Sequence, residues 1–219
     1  MEGLESYLEH TNLKPQATVK EIESLCKEAI DYGFIAVCVN PYFVKTARKI
    51  LGENSVIKLV TVVGFPFGYS NVSAKVEETK KAILEGADEI DMVMNLSALR
   101  NDDLSVVRND IDSVNTYCHL HNKTLKCIIE SSDLTTKEMK MAAQICADVG
   151  VDFVKTSTGF GKSGATVEAV ELLRKILPEK IKIKASGGIN NLQQTIQLIE
   201  AGASRIGSSS CLKIYRENV

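Results

Sequence analysis

The segment "DVGVDFVKT", residues 148–156, contains the junction that decides the fold. A helix-like stretch ends at Gly150, and the apolar run after it stops at Lys155. Glycine just past a helix end adopts the left-handed turn that residues with side chains resist. The segment therefore predicts a helix followed at once by a buried strand, with a lysine at the carboxyl end of that strand.

The same junction recurs as "DYGFIAVCV", "EGADEIDMV" and "AGASRIGSS". Periodicity predicts strands near 9–13, 35–39, 57–63, 89–94, 124–130, 152–156, 181–185 and 204–207. It also predicts helices at 73–85, 103–121, 135–149, 166–176 and 191–200. Alternating strands and helices over 219 residues favour an α/β fold, a (β/α)8 TIM barrel forming a single domain over 1–219. An open doubly wound sheet is the alternative, which the missing G-x-G-x-x-G motif after the first strand disfavours.

Composition and charge exclude several classes of function. A formal net charge of -2 gives no broad basic surface for nucleic acid or for a membrane. No run approaches the roughly 18 apolar residues of a membrane span, and the start "MEGLESYLEH" lacks the regions of a signal peptide. The six cysteines contain no C-x-x-C pair, so reduced packing residues are expected. The expected location is the cytoplasm.

Alternation along the predicted strands directs ionisable side chains toward the barrel axis. In "EIDMVMN", Ile90, Met92 and Met94 occupy the alternate positions that face the helices. Glu89 and Asp91 are therefore expected to face the barrel axis. Applied to the next three strands, the same rule turns further ionisable residues inward: Lys126, Glu130, Lys155, Lys182 and Lys184.

An unpaired interior charge costs several kcal/mol, so such groups should pair with one another or lie near the barrel mouth. Taken singly, Lys182, Glu89 and Lys126 are interpreted as strand-end charges that reach solvent. Together, Asp91, Lys155 and Lys184 indicate a site at the carboxyl ends of the strands, where barrel active sites lie.

Lys155 and Lys184 are separated by one strand–helix unit, which predicts adjacent strands about 5 Å apart. A neighbouring cation and burial both lower the pKa of an amine. A neutral lysine attacks carbonyl carbon and forms a Schiff base. Asp91 is the candidate proton carrier, directly or through a water molecule.

Two glycine- and serine-rich segments follow the last two strands, "SGGIN" at 186–190 and "IGSSS" at 206–210. In barrels, the loops at these positions often bind phosphate through backbone N–H groups. Glycine lets the backbone approach an anion, and Ser209 and Ser210 add hydroxyl donors. Gly159 is positioned to complete this phosphate site from the sixth strand.

The chain resembles the deoxyribose-phosphate aldolases, a family of class I aldolases on a (β/α)8 barrel. The resemblance spans nearly the whole sequence. The resemblance rests on eight motifs, which occur in the same order as in the family: "EHTNLKP", "AVCVNP", "VGFPFG", "EIDMVMN", "LKCIIE", "VKTSTGF", "KASGGI" and "RIGSSS".

This resemblance implies that Lys155 forms the Schiff base, with Lys184 as the second lysine and Asp91 as the catalytic aspartate. It places phosphate contacts at Gly159, Gly187, Gly188, Gly207, Ser209 and Ser210. It places the pocket wall at Thr11, Cys38 and Phe65. The chain departs from the family in one motif, where Glu9 stands in place of the usual aspartate, and the role of Tyr215 near the C-terminus is open.

The implied reaction is reversible cleavage of 2-deoxy-D-ribose 5-phosphate to D-glyceraldehyde 3-phosphate and acetaldehyde, in deoxyribonucleoside catabolism. The resemblance further implies no metal or organic cofactor, a sugar phosphate as the binding partner, and a homodimer. Two alternatives stay open at this point. One is a different Schiff-base barrel enzyme, such as a transaldolase or a keto-acid aldolase, and the other is a phosphate-binding barrel without catalysis.

Overall fold

In the computed structural model, which describes residues 1–218, eight parallel strands close into a barrel in chain order. They are β1 (Leu8–Asn12), β2 (Ala36–Val39), β3 (Lys58–Val63), β4 (Glu89–Val93), β5 (Thr124–Ile128), β6 (Phe153–Lys155), β7 (Lys182–Ser186) and β8 (Arg205–Ser208). Pairing of β8 with β1, with Ser208 opposite His10, completes the ring. The predicted (β/α)8 barrel is confirmed, and the open sheet is wrong.

Helices surround the barrel. They are α1 (Val19–Tyr32), α2 (Val44–Leu51), α3 (Val72–Leu84), α4 (Leu96–Arg100), α5 (Leu104–Leu120), α6 (Thr136–Val149), α7 (Val167–Ile176), α8 (Leu192–Glu200) and α9 (Cys211–Asn218). The predicted strand and helix ends differ from these bounds by at most two residues. Within residues 1–218, each helix falls short of the length and hydropathy that crossing a bilayer requires.

Local chemistry explains where several helices begin and end. Thr18 and Thr135 cap α1 and α6, each in a reciprocal pair with the glutamate three residues later. Gly150 ends α6 in the left-handed conformation, as the sequence predicted, with a φ of 79°. The chain therefore enters β6 immediately after α6, which places Lys155 at the carboxyl end of the strand.

The apolar core lies mainly between the barrel and the helices. Met92, Cys127 and Ile183 belong to this outer core, as the alternation rule predicted. Each fully buried aliphatic side chain of this kind contributes about 1.5–3 kcal/mol to folding. All six cysteines are buried and free, which confirms their predicted packing role.

The barrel interior contains a much smaller apolar cluster, formed by Ala36, Cys38, Val60 and Val62 on β2 and β3. The remaining strands direct charged side chains into the same space. The interior is therefore divided into an apolar sector and a charged sector, and the charged sector forms the candidate site.

Candidate active site

Seven ionisable side chains contact one another inside the barrel. They are Glu9 on β1, Glu89 and Asp91 on β4, Lys126 on β5, Lys155 on β6, Lys184 on β7 and Arg205 on β8. Each is at most 7% exposed. The interpretation of Glu89 and Lys126 as strand-end charges in solvent is wrong, because both are buried and lie 2.6 Å apart. Lys182 does reach solvent, at the amino end of β7.

The lower part of this network, which we call the barrel floor, consists of Glu9, Glu89, Lys126 and Arg205. Arg205 Nη1 lies 3.1 Å from a carboxylate oxygen of Glu9 and 3.1 Å from one of Glu89. Lys126 Nζ lies 2.6 Å from Glu89 and 2.7 Å from Asp91. The Phe153 ring packs against the floor, 5.5 Å from the Arg205 guanidinium. Each floor cation therefore faces at least two carboxylates.

The upper part, which we call the barrel mouth, consists of Asp91, Lys155 and Lys184. The two lysines stand directly opposite each other in the β6–β7 register, which confirms their predicted adjacency. Both donate to Oδ2 of Asp91, Lys155 at 2.9 Å and Lys184 at 2.5 Å. Lys184 also donates to Glu9. Within the described chain, Lys155 has no second carboxylate in ion-pair distance.

Charge balance singles out Lys155. The network contains four cations and three carboxylates, so full ionisation leaves one buried positive charge uncompensated. Burial lowers the pKa of Lys155, and the Lys184 cation lowers it further, against the opposing effect of Asp91. The pKa of Lys155 is therefore shifted downward, which is the direction that the sequence predicted for one of the two lysines.

The charged forms of Lys184, Lys126 and Asp91 are favoured instead. Burial opposes the ionised form of Lys184, but the carboxylates of Asp91 and Glu9 raise its pKa above the ordinary value. The pKa of Lys126 is raised for the same reason. Burial likewise opposes ionisation of Asp91, yet its lysine neighbours hold its pKa well below the ordinary range. The network therefore favours the charged forms of Lys184 and Asp91 and disfavours that of Lys155.

A cavity of about 580 Å³ lies at the carboxyl ends of the strands, and both Lys155 and Lys184 line it. Seven other residues singled out from the sequence line the same cavity: Thr11, Gly159, Gly187, Gly188, Gly207, Ser209 and Ser210. Asp91 lies beneath the lysines and is fully buried. Cys38 is also fully buried rather than part of the lining, and Phe65 lines a neighbouring apolar pocket.

The glycine-rich loops at one end of the cavity expose backbone donors. In the part of the chain that the structure describes, the N–H groups of Gly159, Gly187, Gly188 and Ser209 donate to no protein acceptor. Gly187 has a φ of 86°, a conformation that side-chain-bearing residues rarely adopt. At Gly207, a Cβ atom would lie 2.9 Å from Cε of Lys184, so a side chain there would displace that lysine. These loops suit an anion such as a phosphate group.

Sequence reasoning missed two partners of the lysines. In the sequence, Glu9 stands out only as a departure from a motif, and Arg205 only as the first residue of "RIGSSS". The alternation rule, applied to β1 and β8, would have turned both inward in phase with Thr11 and Gly207. His10 also lines the cavity, where it bonds Glu28 at 2.8 Å. Tyr215, whose role the sequence left open, packs in an aromatic cluster outside the cavity lining.

Glu9, Cys38 and Asp91 place ligand atoms within 4.8 Å of one another, which is a spacing that a metal ion could use. Both carboxylates already accept hydrogen bonds from Lys184. Burial raises the pKa of the Cys38 thiol to about 12, which disfavours the thiolate that binds metals. The chemistry of these donors therefore fits an ion-pair network better than a metal site.

Comparison with known proteins identifies the family. Residues 7–217 match the model of the DeoC/LacD family aldolases. The deoxyribose-phosphate aldolase of Thermococcus kodakarensis is 50% identical over 209 residues, covering 95% of this chain and 93% of that protein. That of Caldicellulosiruptor saccharolyticus is 47% identical over 213 residues, covering 97% and 96%.

Solved structures agree with this assignment. QR15, an aldolase, superimposes with a TM-score of 0.94 at 40% identity and covers 100% of this chain and 96% of its own. The deoxyribose phosphate aldolase of Aeropyrum pernix, described as a unique tetramer, has a TM-score of 0.90 at 29% identity, covering 99% and 92%. The chain belongs to the DeoC/LacD family of aldolases.

Proposed function

We propose that this protein is a class I deoxyribose-phosphate aldolase, a carbon–carbon lyase that reversibly cleaves 2-deoxy-D-ribose 5-phosphate to D-glyceraldehyde 3-phosphate and acetaldehyde. The observation that carries the proposal is Lys155, the network amine whose pKa is lowered, at the edge of a cavity lined by phosphate-type loops. Relatives at 44–50% identity that bear this name support the choice of substrate.

The neutral amine of Lys155 attacks the aldehyde carbon C1 of the open-chain sugar, and loss of water gives an iminium ion. Removal of the proton from the C3 hydroxyl breaks the C2–C3 bond. The bonding electrons move toward the iminium nitrogen, which leaves an enamine on Lys155 and releases D-glyceraldehyde 3-phosphate. Protonation of C2 and hydrolysis then release acetaldehyde and restore the amine.

Proton transfer falls to Lys184 and Asp91, together with a water molecule. Lys184 lines the cavity and is hydrogen-bonded to the buried Asp91, so it connects that carboxylate to the substrate side. The pKa of Lys184 is raised and that of Asp91 is lowered, so the charged forms of this pair are favoured, whereas the lowered pKa of Lys155 makes it the amine that gives up its proton more readily. Lys155 therefore acts as the nucleophile, and Lys184 acts as the proton donor.

The phosphate group of the substrate binds at the loops that expose backbone donors. Gly187 and Gly188 follow β7, Ser209 and Ser210 follow β8, and Gly159 follows β6. The remaining contacts assigned to substrate in this proposal are Gly207 and Thr11. Cys38, being buried, acts only as packing beneath the reacting lysine.

The proposal also covers the setting of the reaction. The whole chain, residues 1–219, acts as one catalytic domain in the cytoplasm, on a small sugar phosphate rather than on nucleic acid or a membrane. The active form is a homodimer. Sedimentation or scattering measurements test this assembly, since a monomer or a tetramer would each give a distinct mass.

Reductive trapping tests the chemistry. Borohydride added together with acetaldehyde should leave an N-ethyl group on Lys155, located by peptide mass spectrometry. A protein that binds phosphate but remains unmodified would be the non-catalytic barrel. Comparing cleavage rates for 2-deoxyribose 5-phosphate and for keto-sugar phosphates then tests the substrate, and a clear preference for the keto-sugars would indicate a different Schiff-base aldolase.

A further inference from the structure

Glu130, immediately after β5, is a buried carboxylate that the proposed reaction does not use. It is 4% exposed and forms no ion pair within residues 1–218. Its backbone lies in the left-handed region, with a φ of 44°, which is uncommon for a residue other than glycine. Unusual backbone conformations of this kind cluster at functional sites.

The carboxylate of Glu130 is directed at the loop between β6 and α7. It accepts hydrogen bonds from the backbone N–H of Thr158, at 3.2 and 3.3 Å, and from the hydroxyl of Thr158. The Thr158 oxygen in turn accepts the N–H of Phe160 at 3.0 Å. Glu130 thus holds Thr158 directly, and through the Thr158 hydroxyl it holds Phe160 on the other side of Gly159.

The same carboxylate also packs against the far end of this turn. A Cβ atom on Gly161 would lie 2.9 Å from Cδ of Glu130, so the loop approaches the carboxylate as closely as a glycine allows. Glu130 itself is not part of the cavity lining, whereas Thr158, Gly159 and Phe160 are. Its influence on a bound ligand is therefore exerted through the loop.

The held loop lies against the β7 loop of the phosphate site. The hydroxyl of Ser186 donates to the carbonyl of Ser157 at 2.7 Å, and Ala165 N–H donates to the carbonyl of Ser186 at 3.0 Å. A Cβ on Gly164 would lie 1.8 Å from the carbonyl oxygen of Gly187, so the two loops are in direct backbone contact. Any displacement of the loop after β6 would therefore change the shape of the end of the cavity where the phosphate group is proposed to bind.

The geometry points to Glu130 as a positioning residue that holds the Thr158–Phe160 turn in the shape that binds the substrate's phosphate group. This inference rests on the proposed function for the identity of the substrate, but it concerns the phosphate end of the cavity alone. Lys155 and its network do not depend on Glu130 for an ion pair. Removal of the carboxylate should therefore weaken phosphate binding and leave Schiff-base formation intact.

The test compares Glu130→Ala with the unaltered protein in two separate assays. The first is calorimetric titration with inorganic phosphate, where we expect at least roughly tenfold weaker binding, as for the loss of a charge-assisted hydrogen bond. The second is trapping of acetaldehyde on Lys155 with borohydride, where we expect the same extent of labelling. With substrate, KM for 2-deoxyribose 5-phosphate should rise while the rate on unphosphorylated 2-deoxyribose stays unchanged.

Two further variants guard against simple misfolding. Thr158→Val removes the other partner of the hydrogen bond with little change in shape and should show the same selective loss. Glu130→Gln keeps an acceptor oxygen and should recover part of the affinity. Asp110→Asn is the matched control, because Asp110 is equally buried at 3% but pairs with Lys75 on the helical layer. It should lower stability and leave phosphate affinity unchanged.

The inference is wrong if Glu130→Ala binds phosphate as the unaltered protein does, or if acetaldehyde trapping falls in parallel with phosphate affinity. The proposed function is tested separately by trapping in the unaltered protein. Without labelling there, the aldolase assignment fails, and the phosphate titration still decides the role of Glu130.

Discussion

The barrel floor and the barrel mouth are built from the same residue types, but their charges are balanced differently. In the floor, Lys126 has three carboxylates within 3.8 Å, and Arg205 has two within 3.1 Å. At the mouth, Lys155 has one carboxylate, and it shares the same oxygen of that group with Lys184. The pKa of a buried amine thus falls where that amine is the least well compensated of several cations.

The largest effect is expected from Lys155→Arg, because a guanidinium remains protonated and cannot form the Schiff base. Turnover should fall by roughly 10⁴-fold or more, as when a nucleophile is removed, while the fold persists. Steady-state kinetics and circular dichroism measure the two properties. Lys182→Arg, the same substitution on an exposed lysine of the neighbouring strand, should leave turnover unchanged. Appreciable activity in Lys155→Arg would move the nucleophile to another residue, with Lys184 the next candidate.

Asp91→Asn removes the carboxylate that Lys126, Lys155 and Lys184 share. Loss of one partner from a buried ionic group costs about 3–5 kcal/mol, so urea unfolding should show a loss of that order together with loss of turnover. Glu89→Gln is the matched floor variant. It should also lower stability, because Glu89 pairs with Lys126 and Arg205, but it should retain acetaldehyde trapping. Equal loss of trapping in both variants would contradict the division into floor and mouth.

Lys184→Met tests whether the second lysine sets the protonation of the first. Lys184 lowers the pKa of Lys155, so its removal should raise that pKa. A higher pKa leaves less free amine at neutral pH, and acetaldehyde trapping should therefore slow there and recover at alkaline pH. The pH dependence of the trapping rate measures this change, with Lys182→Met as control. An unchanged profile would show that burial, and not Lys184, lowers the pKa of Lys155, and a profile displaced toward acid would show that Lys184 raises that pKa.

The smallest effect is expected from Arg205→Lys in the floor. Arg205 donates to both Glu9 and Glu89 through Nη1 and again to Glu89 through Nη2, and a single ammonium cannot reproduce that fork. Thermal unfolding should reveal a loss of about 1–3 kcal/mol, with turnover largely retained. A variant that loses activity but not stability would assign Arg205 to the mouth instead.

The alternation of side chains predicted much of this arrangement. Gly150 and the apolar run after it predicted β6, and the strand phase predicted that Asp91, Lys155 and Lys184 face inward. Period-two patterning is a local property, so a single strand is enough to reveal it. The sequence could not show that Glu89 and Lys126 are buried rather than solvated, because a charged residue near a strand end is compatible with both.

Other features depend on contacts between distant parts of the chain. Glu9 meets Arg205 across 196 positions only because β8 closes on β1. Glu130 meets Thr158 because β5 and β6 are neighbours and because its backbone adopts a positive φ, which residue type does not predict for a glutamate.

The sequence by itself determined the barrel, the two lysines on adjacent strands and the glycine-rich loops at the strand ends, since each follows from local periodicity or local conformational freedom. The tertiary structure alone decided which of the two lysines has the lowered pKa. A pKa depends on the full set of charges within a few ångströms and on their burial, and closure of the barrel assembles that set from six strands. That assembly leaves Lys184 with two carboxylates and Lys155 with one.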